Sequence, residues 1–176
     1  MFKTIIAATD GSEHATRAVK IAAGLARLSK AKLILVHVRP QYGTSSMIQQ
    51  GMAAKTRLPA DANDELRRLK GIEHLAAAAE GPFPTYGMLS QSALDAIASL
   101  TLQDAEKVAK KARLSRISHI LLKGDPAENI LSAAKKEKAD VIVLGRRGMG
   151  RLAGLLIGSV SQKVNQLADC PVFTVK

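Results

Sequence analysis

The sequence predicts an α/β fold built on a five-stranded parallel sheet with helices on both faces. Five short apolar segments rich in β-branched residues alternate with segments whose apolar residues recur at helical spacing. Strands joined through helices form right-handed crossovers, and these place the strands parallel and cover both faces of the sheet. A chain of 176 residues, of which 47% are apolar and 23% charged, suffices for one domain with its own core.

The first third of the chain predicts a strand, a helix and a second strand. Residues 2–8 (FKTIIAA) form a short β-branched segment that runs into a turn. Alanine, valine and leucine then recur at helical spacing over Glu13–Ser29. Residues 32–38 (KLILVHV) predict a second buried strand. Pro40, after Arg39, ends this strand because proline cannot continue a hydrogen-bonded ladder.

Residues 41–88 differ from the rest, because glycine and proline interrupt them repeatedly. A helix is predicted over 61–80 with an interruption at Gly71. The apolar stripe from Leu66 to Ala79 is interpreted as packing, with a recognition helix as the alternative. We therefore expect a single domain over 1–176, with 41–88 as an insertion after the second strand that forms a lid or a partner surface.

The second half of the chain predicts three more strands and their helices. The strands are 118–123 (SHILLK), 140–144 (DVIVL) and 172–176 (VFTVK), and the helices are 89–114, 126–138 and 159–167. Asp125 is the predicted N-cap of the helix over 126–138. Pro126 stands at its first position and Glu128 at the capping-box position.

Composition and charge exclude several classes of protein. A single cysteine excludes a disulfide scaffold and a multi-thiolate metal site within one chain. The net charge of +11 is spread without a run of five or more cations, and aromatic residues make up only 3%. Nucleic-acid binding is therefore not expected, whereas anionic ligands in general are favoured. With no apolar run long enough for a signal or a membrane span, we expect a cytoplasmic protein without a membrane partner.

A glycine-rich stretch between the fourth strand and the last helix carries the strongest functional signal. It reads GRRGMGR from Gly145 and ends in GSVS from Gly158. Glycine-rich backbone and a helix N-terminus present N–H groups that suit an anion, and arginines add positive charge. The hydroxyls of Ser159 and Ser161 are expected to donate to phosphate. A phosphate cradle is therefore predicted, with a structural turn or a dimer contact as the alternatives; the stretch is not a Walker A loop.

A second candidate site follows the first strand at Thr9, Asp10, Gly11 and Ser12. In parallel sheets, ligands bind beyond the carboxyl ends of the strands, where the strand order reverses. Asp10 is therefore expected to contact a ligand, with capping of the first helix as the alternative. His37 is interpreted as a packed histidine and Cys170 as a small buried residue.

These motifs together resemble the ATP-binding type of the universal stress protein family. The spacing G-x2-G-x9-G-[ST] is met by Gly145, Gly148, Gly158 and Ser159. Further matches are the TDGS turn after the first strand, LVHV in the second strand, GDPAE before the helix at 126, and the closing CPVFTVK. The resemblance covers 1–40 and about 90–176. It implies a Rossmann-like fold similar to the adenine nucleotide alpha hydrolases.

The resemblance also implies a function and a set of site residues. The implied protein is a stress-response regulator that binds ATP, or AMP or ADP, with Mg²⁺. Asp10 would hold the metal ion through water. The implied nucleotide-binding residues are Ala8, Thr9, Asp10, Val38, Leu144, Gly145, Arg146, Arg147, Gly148, Gly158, Ser159, Val160 and Ser161. The implied homodimer pairs Val172, Phe173, Thr174 and Val175. Three alternatives stay open: a weak ATP hydrolase, an interaction protein acting through 41–88, and a binder of AMP or a cyclic nucleotide.

Overall fold

The computed structural model describes residues 1–39, 41, 57–68, 89–149 and 157–176. Its strands are β1 (Thr4–Ala8), β2 (Lys32–Arg39), β3 (Ile117–Lys123), β4 (Val141–Gly145) and β5 (Val172–Val175). The helices with defined bounds are α1 (Glu13–Ser29), α2 (Gln91–Lys110), α3 (Pro126–Lys136) and α4 (Ser159–Leu167). Every strand predicted from the sequence is present.

The five strands form one parallel sheet in the order β3-β2-β1-β4-β5, which confirms the predicted fold class. The chain runs outward from β1 through β2 to β3 and then returns to the other side of β1 to add β4. The strand order therefore reverses between β1 and β4, where Ala8 lies opposite Leu144. The crevice for a ligand is expected at this switch point, beyond the carboxyl ends of the two strands.

Apolar cores lie on both faces of the sheet, because successive strand residues point to opposite faces. Ile5 and Ala7 of β1 pack on one face with α1 and with the second half of α2. Ile6 and Ala8 pack on the other face with α3 and α4. The buried face of α1 contains alanine at five of its six positions. These small side chains let the helix lie close to the sheet.

The helices begin where their capping residues predict. The Oγ of Ser12 accepts a hydrogen bond from the N–H of Ala15 at the start of α1 (3.2 Å). At the start of α3, Oδ1 of Asp125 accepts from the N–H of Glu128 (2.8 Å), with Pro126 at the first helical position. The prediction for α3 is confirmed. The alternative that Asp10 caps α1 is wrong, because Ser12 occupies the N-cap position.

Two strands extend one residue beyond their predicted ends. β2 continues through Arg39, which still pairs with Lys123 of β3. The C=O of Arg39 accepts from the N–H of Gly124 (3.0 Å). β4 includes Gly145, which pairs with Val175. The predicted ends of the second strand at residue 38 and of the fourth strand at residue 144 are therefore each one residue short. Pairing with a neighbouring strand continues both ladders by that residue.

Other predicted bounds differ because turns with left-handed backbone end the helices early. α2 spans Gln91–Lys110 instead of 89–114, with Arg113 at φ +56° in the turn that follows. α3 ends at Lys136 instead of residue 138, and Lys138 has φ +50°. At the strands, β1 begins at Thr4 instead of residue 2, β3 begins one residue earlier than predicted, and β4 begins one residue later than predicted. β5 ends at Val175.

The chain divides into two compact units, one of residues 1–39 and 101–176 and the other of residues 40–100. The second unit has its own apolar cluster, which includes Leu58, Leu66 and Leu94. Within it, Oε2 of Glu65 accepts from the N–H of Ser90 (2.7 Å). Residues 60–68 are helical, in agreement with the helix predicted over 61–80. The rest of that helix, and most of the expected lid over 41–88, lie outside the described residues.

Candidate functional site

The turn after β1 is fixed by its own side chains. The N–H of Thr9 donates to the C=O of Val36 (2.9 Å), which prolongs the pairing of β1 with β2. Oγ1 of Thr9 accepts from the N–H of Gly11 (3.2 Å), and Oδ1 of Asp10 accepts from the N–H of Ser12 (3.0 Å). Gly11 has φ +84°, a conformation that other residues rarely adopt. The turn therefore holds the Asp10 carboxylate in one position beyond the end of β1.

The loop after β4 folds onto this carboxylate. Oδ2 of Asp10 accepts a hydrogen bond from the N–H of Met149 (3.0 Å). A Cβ atom on Gly148 would lie 2.5 Å from the same Oδ2, so only glycine fits beside Asp10 without displacement. The contact joins the two loops that flank the switch point. Met149 was missed at the sequence level, because its contribution is a backbone N–H group that any residue except proline would supply.

Three hydrogen bonds hold the backbone of Gly145 and Arg146, the residues at which this loop begins. The Oγ of Ser161 donates to the C=O of Gly145 (2.7 Å). The N–H of Arg146 donates to the C=O of Val175 (2.7 Å), and the C=O of Arg146 accepts from the N–H of Gly158 (2.8 Å). The loop is therefore tied to β5 and to the start of α4.

Two glycines of the motif are required by the protein's own packing. A Cβ atom on Gly145 would lie 2.8 Å from the backbone N of Ala15 and 2.9 Å from His14, so β4 approaches the first turn of α1 closely. A Cβ atom on Gly158 would lie 3.4 Å from the carbonyl oxygen of Arg146, which is an ordinary contact, so packing does not require glycine there. The sequence predicted that the glycine-rich backbone presents N–H groups to an anion. In the structure, the absence of a side chain at Gly145 lets α1 lie close to β4, and its absence at Gly148 leaves space for the carboxylate of Asp10.

The start of α4 presents backbone N–H groups next to the loop. Its N-cap is Gly158, and no side-chain hydrogen bond caps the helix within the described chain. Ser159 is exposed and Val160 is half-buried. Ser161 is buried, and its only hydroxyl proton is used on Gly145. The expected donation from Ser161 to phosphate is therefore replaced by a role in holding the loop, whereas Ser159 is exposed at the start of the helix.

Positive charge flanks the loop through Arg146 and Arg147, both half-buried. The Nε atom of each is buried and has no hydrogen-bond partner among the residues that the structure describes. A buried donor without an acceptor is unfavourable, and an anionic ligand supplies acceptors. The two guanidinium groups fit the predicted phosphate site in their chemistry.

His37 lies beside the site as a packed histidine, as predicted. It is 4% exposed, and its Nδ1 lies 2.7 Å from the C=O of Thr9. A carbonyl oxygen only accepts, so Nδ1 carries the proton. Burial lowers the pKa of His37 below its ordinary value, which keeps the ring neutral at physiological pH. The ring therefore supports the position of the Thr9 backbone.

The remaining predicted residues lie at the strand ends around the loops. Ala8 and Leu144 are the buried, paired residues at the ends of β1 and β4. Val38 is half-buried near the end of β2. Cys170 is half-buried rather than buried. Burial raises the pKa of its thiol and keeps it protonated. The structure thus brings Asp10 together with the loop after β4 and the start of α4, whereas Val38 flanks them on the neighbouring strand.

The model of the Universal stress protein family matches residues 1–176. The chain belongs to the universal stress protein family. A universal stress protein of Thermus aquaticus is 35% identical over 180 residues, with 100% of each chain covered. The Bacillus subtilis universal stress protein YxiE is 30% identical over 177 residues, again with 100% of each covered. A crystal structure of a universal stress protein in complex with cAMP is 26% identical with a TM-score of 0.62, covering 99% of this chain and 97% of that one.

Membership in the universal stress protein family confirms the resemblance to that family which the sequence motifs indicated. It also agrees with the parallel five-stranded sheet and its order. No helix in the described ranges is at once long and apolar enough to cross a bilayer.

Proposed function

We propose that this universal stress protein binds an adenine nucleotide beyond the carboxyl ends of β1 and β4, with ATP and Mg²⁺ as the preferred ligands. The observation that carries the proposal is the 3.0 Å hydrogen bond from the N–H of Met149 to Oδ2 of Asp10. Through it, the turn after β1 and the glycine-rich loop form one surface at the switch point of the sheet. The start of α4 adjoins that surface through Gly158.

The phosphates would lie against the loop and α4. The exposed end of α4 offers the N–H groups of Ser159 and Val160 together with the positive end of the helix dipole. Arg146 and Arg147 supply charge from the loop. Mg²⁺, when bound, neutralises phosphate charge. Asp10 would contact it through water, with its carboxylate held in position by a backbone hydrogen bond to each oxygen.

The nucleoside would lie between the ends of β1 and β2. Thr9 and Asp10 are held there by their turn, and Val38 offers backbone groups near the end of the neighbouring strand. The rigidity of this edge favours binding, because little ordering is required when the ligand arrives. A regulator that reports nucleotide levels needs such a preformed site.

AMP or a cyclic nucleotide is the second candidate ligand. The solved universal stress protein in complex with cAMP, 26% identical to this chain, favours it. Both candidates use the same cradle and differ in the number of phosphates.

The regulatory role would be exerted through a homodimer formed by β5. β5 is the last strand in the sheet order, so one of its edges is unpaired within the described sheet. Phe173 on this strand is 41% exposed. Because the C=O of Val175 accepts from the N–H of Arg146, the nucleotide loop and the dimer strand are in direct contact.

Titration calorimetry with ATP, AMP, cAMP and GTP tests the proposed site, and the variant that decides it is Asp10→Asn. An amide can accept only one of the two N–H groups now bound by Asp10, so either the turn after β1 or its contact with the glycine-rich loop loses a hydrogen bond. We expect adenine-nucleotide affinity to fall about tenfold or more. The matched control is Asp61→Asn, an exposed residue of the helical segment 60–68, which should leave affinity unchanged.

Native mass spectrometry of protein purified without added nucleotide completes the test, because it reports the retained ligand and the oligomeric state together. Absence of saturable binding of every adenine nucleotide to the wild-type protein would refute the proposal. Steady ATP turnover that is lost in Asp10→Asn would instead favour the hydrolase alternative.

A further inference from the structure

Exposed cations gather at the amino end of the sheet, opposite the candidate site. In a parallel sheet, every crossover helix ends on this side, so the turns that lead into β2, β3 and β4 lie at one end of the unit. Exposed cations occupy these turns and the last helical turns before them, and six of them lie at the turns or next to them in sequence. These six are Arg27, Lys30, Lys111, Arg113, Arg116 and Lys138, and we call them the amino-end basic surface.

Hydrogen bonds show that these turns are neighbours. Nη2 of Arg116 donates to the C=O of Lys30 (3.4 Å), and the C=O of Arg116 accepts from the N–H of Leu33 (2.9 Å). Nζ of Lys32 lies 3.1 Å from Oε2 of Glu137, which links the turn before β2 to the end of α3. The cations therefore belong to one continuous surface.

The acidic residues at this end are fewer than the cations: Asp169 is exposed in the turn before β5, and Glu137 and Asp140 are engaged within the protein. Glu137 is paired with Lys32. Oδ2 of Asp140 accepts hydrogen bonds from the N–H groups of Lys3 (2.6 Å) and Thr4 (2.8 Å), so this carboxylate binds backbone groups. Within the described ranges, none of the six cations of the amino-end basic surface forms an ion pair. The surface therefore presents a positive field to an external partner.

Three of these cations adopt a backbone conformation that favours glycine. Lys30 (φ +55°), Arg113 (φ +56°) and Lys138 (φ +50°) are the non-glycine residues with positive φ in the described chain. A cation near a helix C-terminus interacts well with the helix dipole. However, Lys110 and Lys135 already supply that interaction with ordinary helical backbone. The charges of Lys30, Arg113 and Lys138 are therefore not required to stabilise the C-terminal ends of the helices.

An exposed apolar side chain lies between two of these cations in the sequence. Leu28 is 72% exposed in the last turn of α1, between Arg27 and Lys30. Cations around an exposed leucine are typical of surfaces that lie at a lipid interface, where the charges meet headgroups and the apolar group enters the acyl boundary. Binding of single-stranded nucleic acid would call for exposed aromatic platforms, and a duplex bound through its phosphates would not use the exposed leucine. The aromatic residue near this end, Phe2, packs into the core.

We propose that the amino-end basic surface docks on an anionic lipid bilayer as a peripheral contact, with the cations against headgroup phosphates and Leu28 entering the interface. Such docking needs no spanning helix. It would leave the carboxyl ends of the strands, with the candidate nucleotide site, facing away from the bilayer. Docking and nucleotide binding are then separable properties of opposite ends of one unit.

Co-sedimentation with vesicles tests the docking surface. The probes are vesicles of phosphatidylcholine alone and of phosphatidylcholine mixed with phosphatidylglycerol, at low and high salt. The deciding variant combines Lys30→Gly, Arg113→Gly and Lys138→Gly. It removes three charges and should fold, because glycine suits the left-handed backbone at each position. Binding to anionic vesicles is expected to fall about a hundredfold, and high salt should release the wild-type protein.

The matched control combines Lys20→Ala, Arg67→Ala and Arg68→Ala, which removes the same charge from exposed helical positions elsewhere. It should retain nearly wild-type binding, whereas Leu28→Ser should weaken binding severalfold. Equal loss in the two triple variants would show a response to net charge alone and overturn the proposal. So would failure of the wild-type protein to bind anionic vesicles at low salt, or tighter binding to duplex DNA or RNA than to the vesicles.

Discussion

The two ends of the parallel sheet are built in opposite ways. At the carboxyl end, backbone N–H and C=O groups are bound to one another and to the side chains of Asp10 and Ser161, and a side chain at Gly145 or Gly148 would collide with its neighbours. At the amino end, turns carry exposed cations, and three of them stand where glycine would be less strained. The structure of the carboxyl end therefore depends on close packing, whereas the proposed binding at the amino end depends on the number of charges. Substitutions should therefore act sterically at one end and electrostatically at the other.

The largest expected effect is that of a single methyl group at the carboxyl end. Gly145→Ala places a Cβ atom 2.8 Å from the backbone N of Ala15, which cannot move without α1. We expect a loss of about 1–3 kcal/mol in the free energy of unfolding, measured by urea denaturation. Nucleotide affinity should fall as well, because the loop that begins here is displaced.

The matched control is Gly24→Ala in the middle of α1, where nothing lies within 4 Å of the added Cβ. This change should stabilise the protein by about 0.5–1 kcal/mol, since alanine favours a helix over glycine. If the two substitutions had equal effects, close packing would not be what distinguishes the carboxyl end.

Substitution of two serines, one near each end of the sheet, tests the same comparison with a smaller expected change in stability. Ser161 is buried and donates to the C=O of Gly145 at the carboxyl end. Ser29 is half-buried and donates to the C=O of Leu25 within α1, near the amino end. Ser161→Ala leaves a buried carbonyl without this donor and should cost about 1–2 kcal/mol. Ser29→Ala should stay within about 0.5 kcal/mol.

Thermal unfolding of the two serine variants measures the difference. Nucleotide titration of Ser161→Ala should also show weaker binding, since the C=O that it holds begins the loop. A Ser29→Ala variant that is the less stable of the two would contradict the comparison.

The smallest expected effect concerns pH at the amino end. Hydrogen bonds from the N–H of Thr4, and then of Lys3, hold the pKa of Asp140 below its ordinary value. A depressed carboxyl pKa adds stability above the ordinary carboxyl range, and that stability is lost as the pH falls through the depressed value. Asp140→Asn should therefore destabilise the protein at neutral pH by less than about 1 kcal/mol, because solvent screens the group.

Urea denaturation over a series of pH values measures this effect. The difference between wild type and Asp140→Asn should shrink as the solution is acidified below the ordinary carboxyl range. A difference that stays constant down to strongly acidic pH would show that the carboxylate charge is not its source.

Local signals in the sequence predicted most of the elements. The alternation of strands and helices indicated the parallel sheet, and the α1 bounds agree with the prediction made from the helical spacing of its apolar residues. Asp125 and Pro126 gave the start of α3 through capping that involves only nearby residues. The strand ends were less well predicted, because Arg39 and Gly145 are in strands only through pairing with a neighbour distant in sequence.

The candidate site was predicted in composition but not in its internal contacts. The spacing of Gly145, Gly148 and Gly158 identified the loop, yet it did not reveal that Gly148 accommodates Asp10 or that Ser161 donates inward. The hydrogen bond from the N–H of Met149 could not be predicted from the sequence, because every residue except proline supplies the same group.

The sequence by itself determined the order of strands and helices, the capped helix starts, the glycine-rich loop and a net charge of +11. Tertiary structure alone decided how these parts meet. Cations spread along the chain come together at the amino end because each parallel crossover returns the chain to the same side of the sheet. Asp10 and Met149, 139 positions apart, become partners because β4 is added beside β1. Spacing along a chain encodes local hydrogen bonding, whereas contacts between distant segments depend on the order in which strands join the sheet.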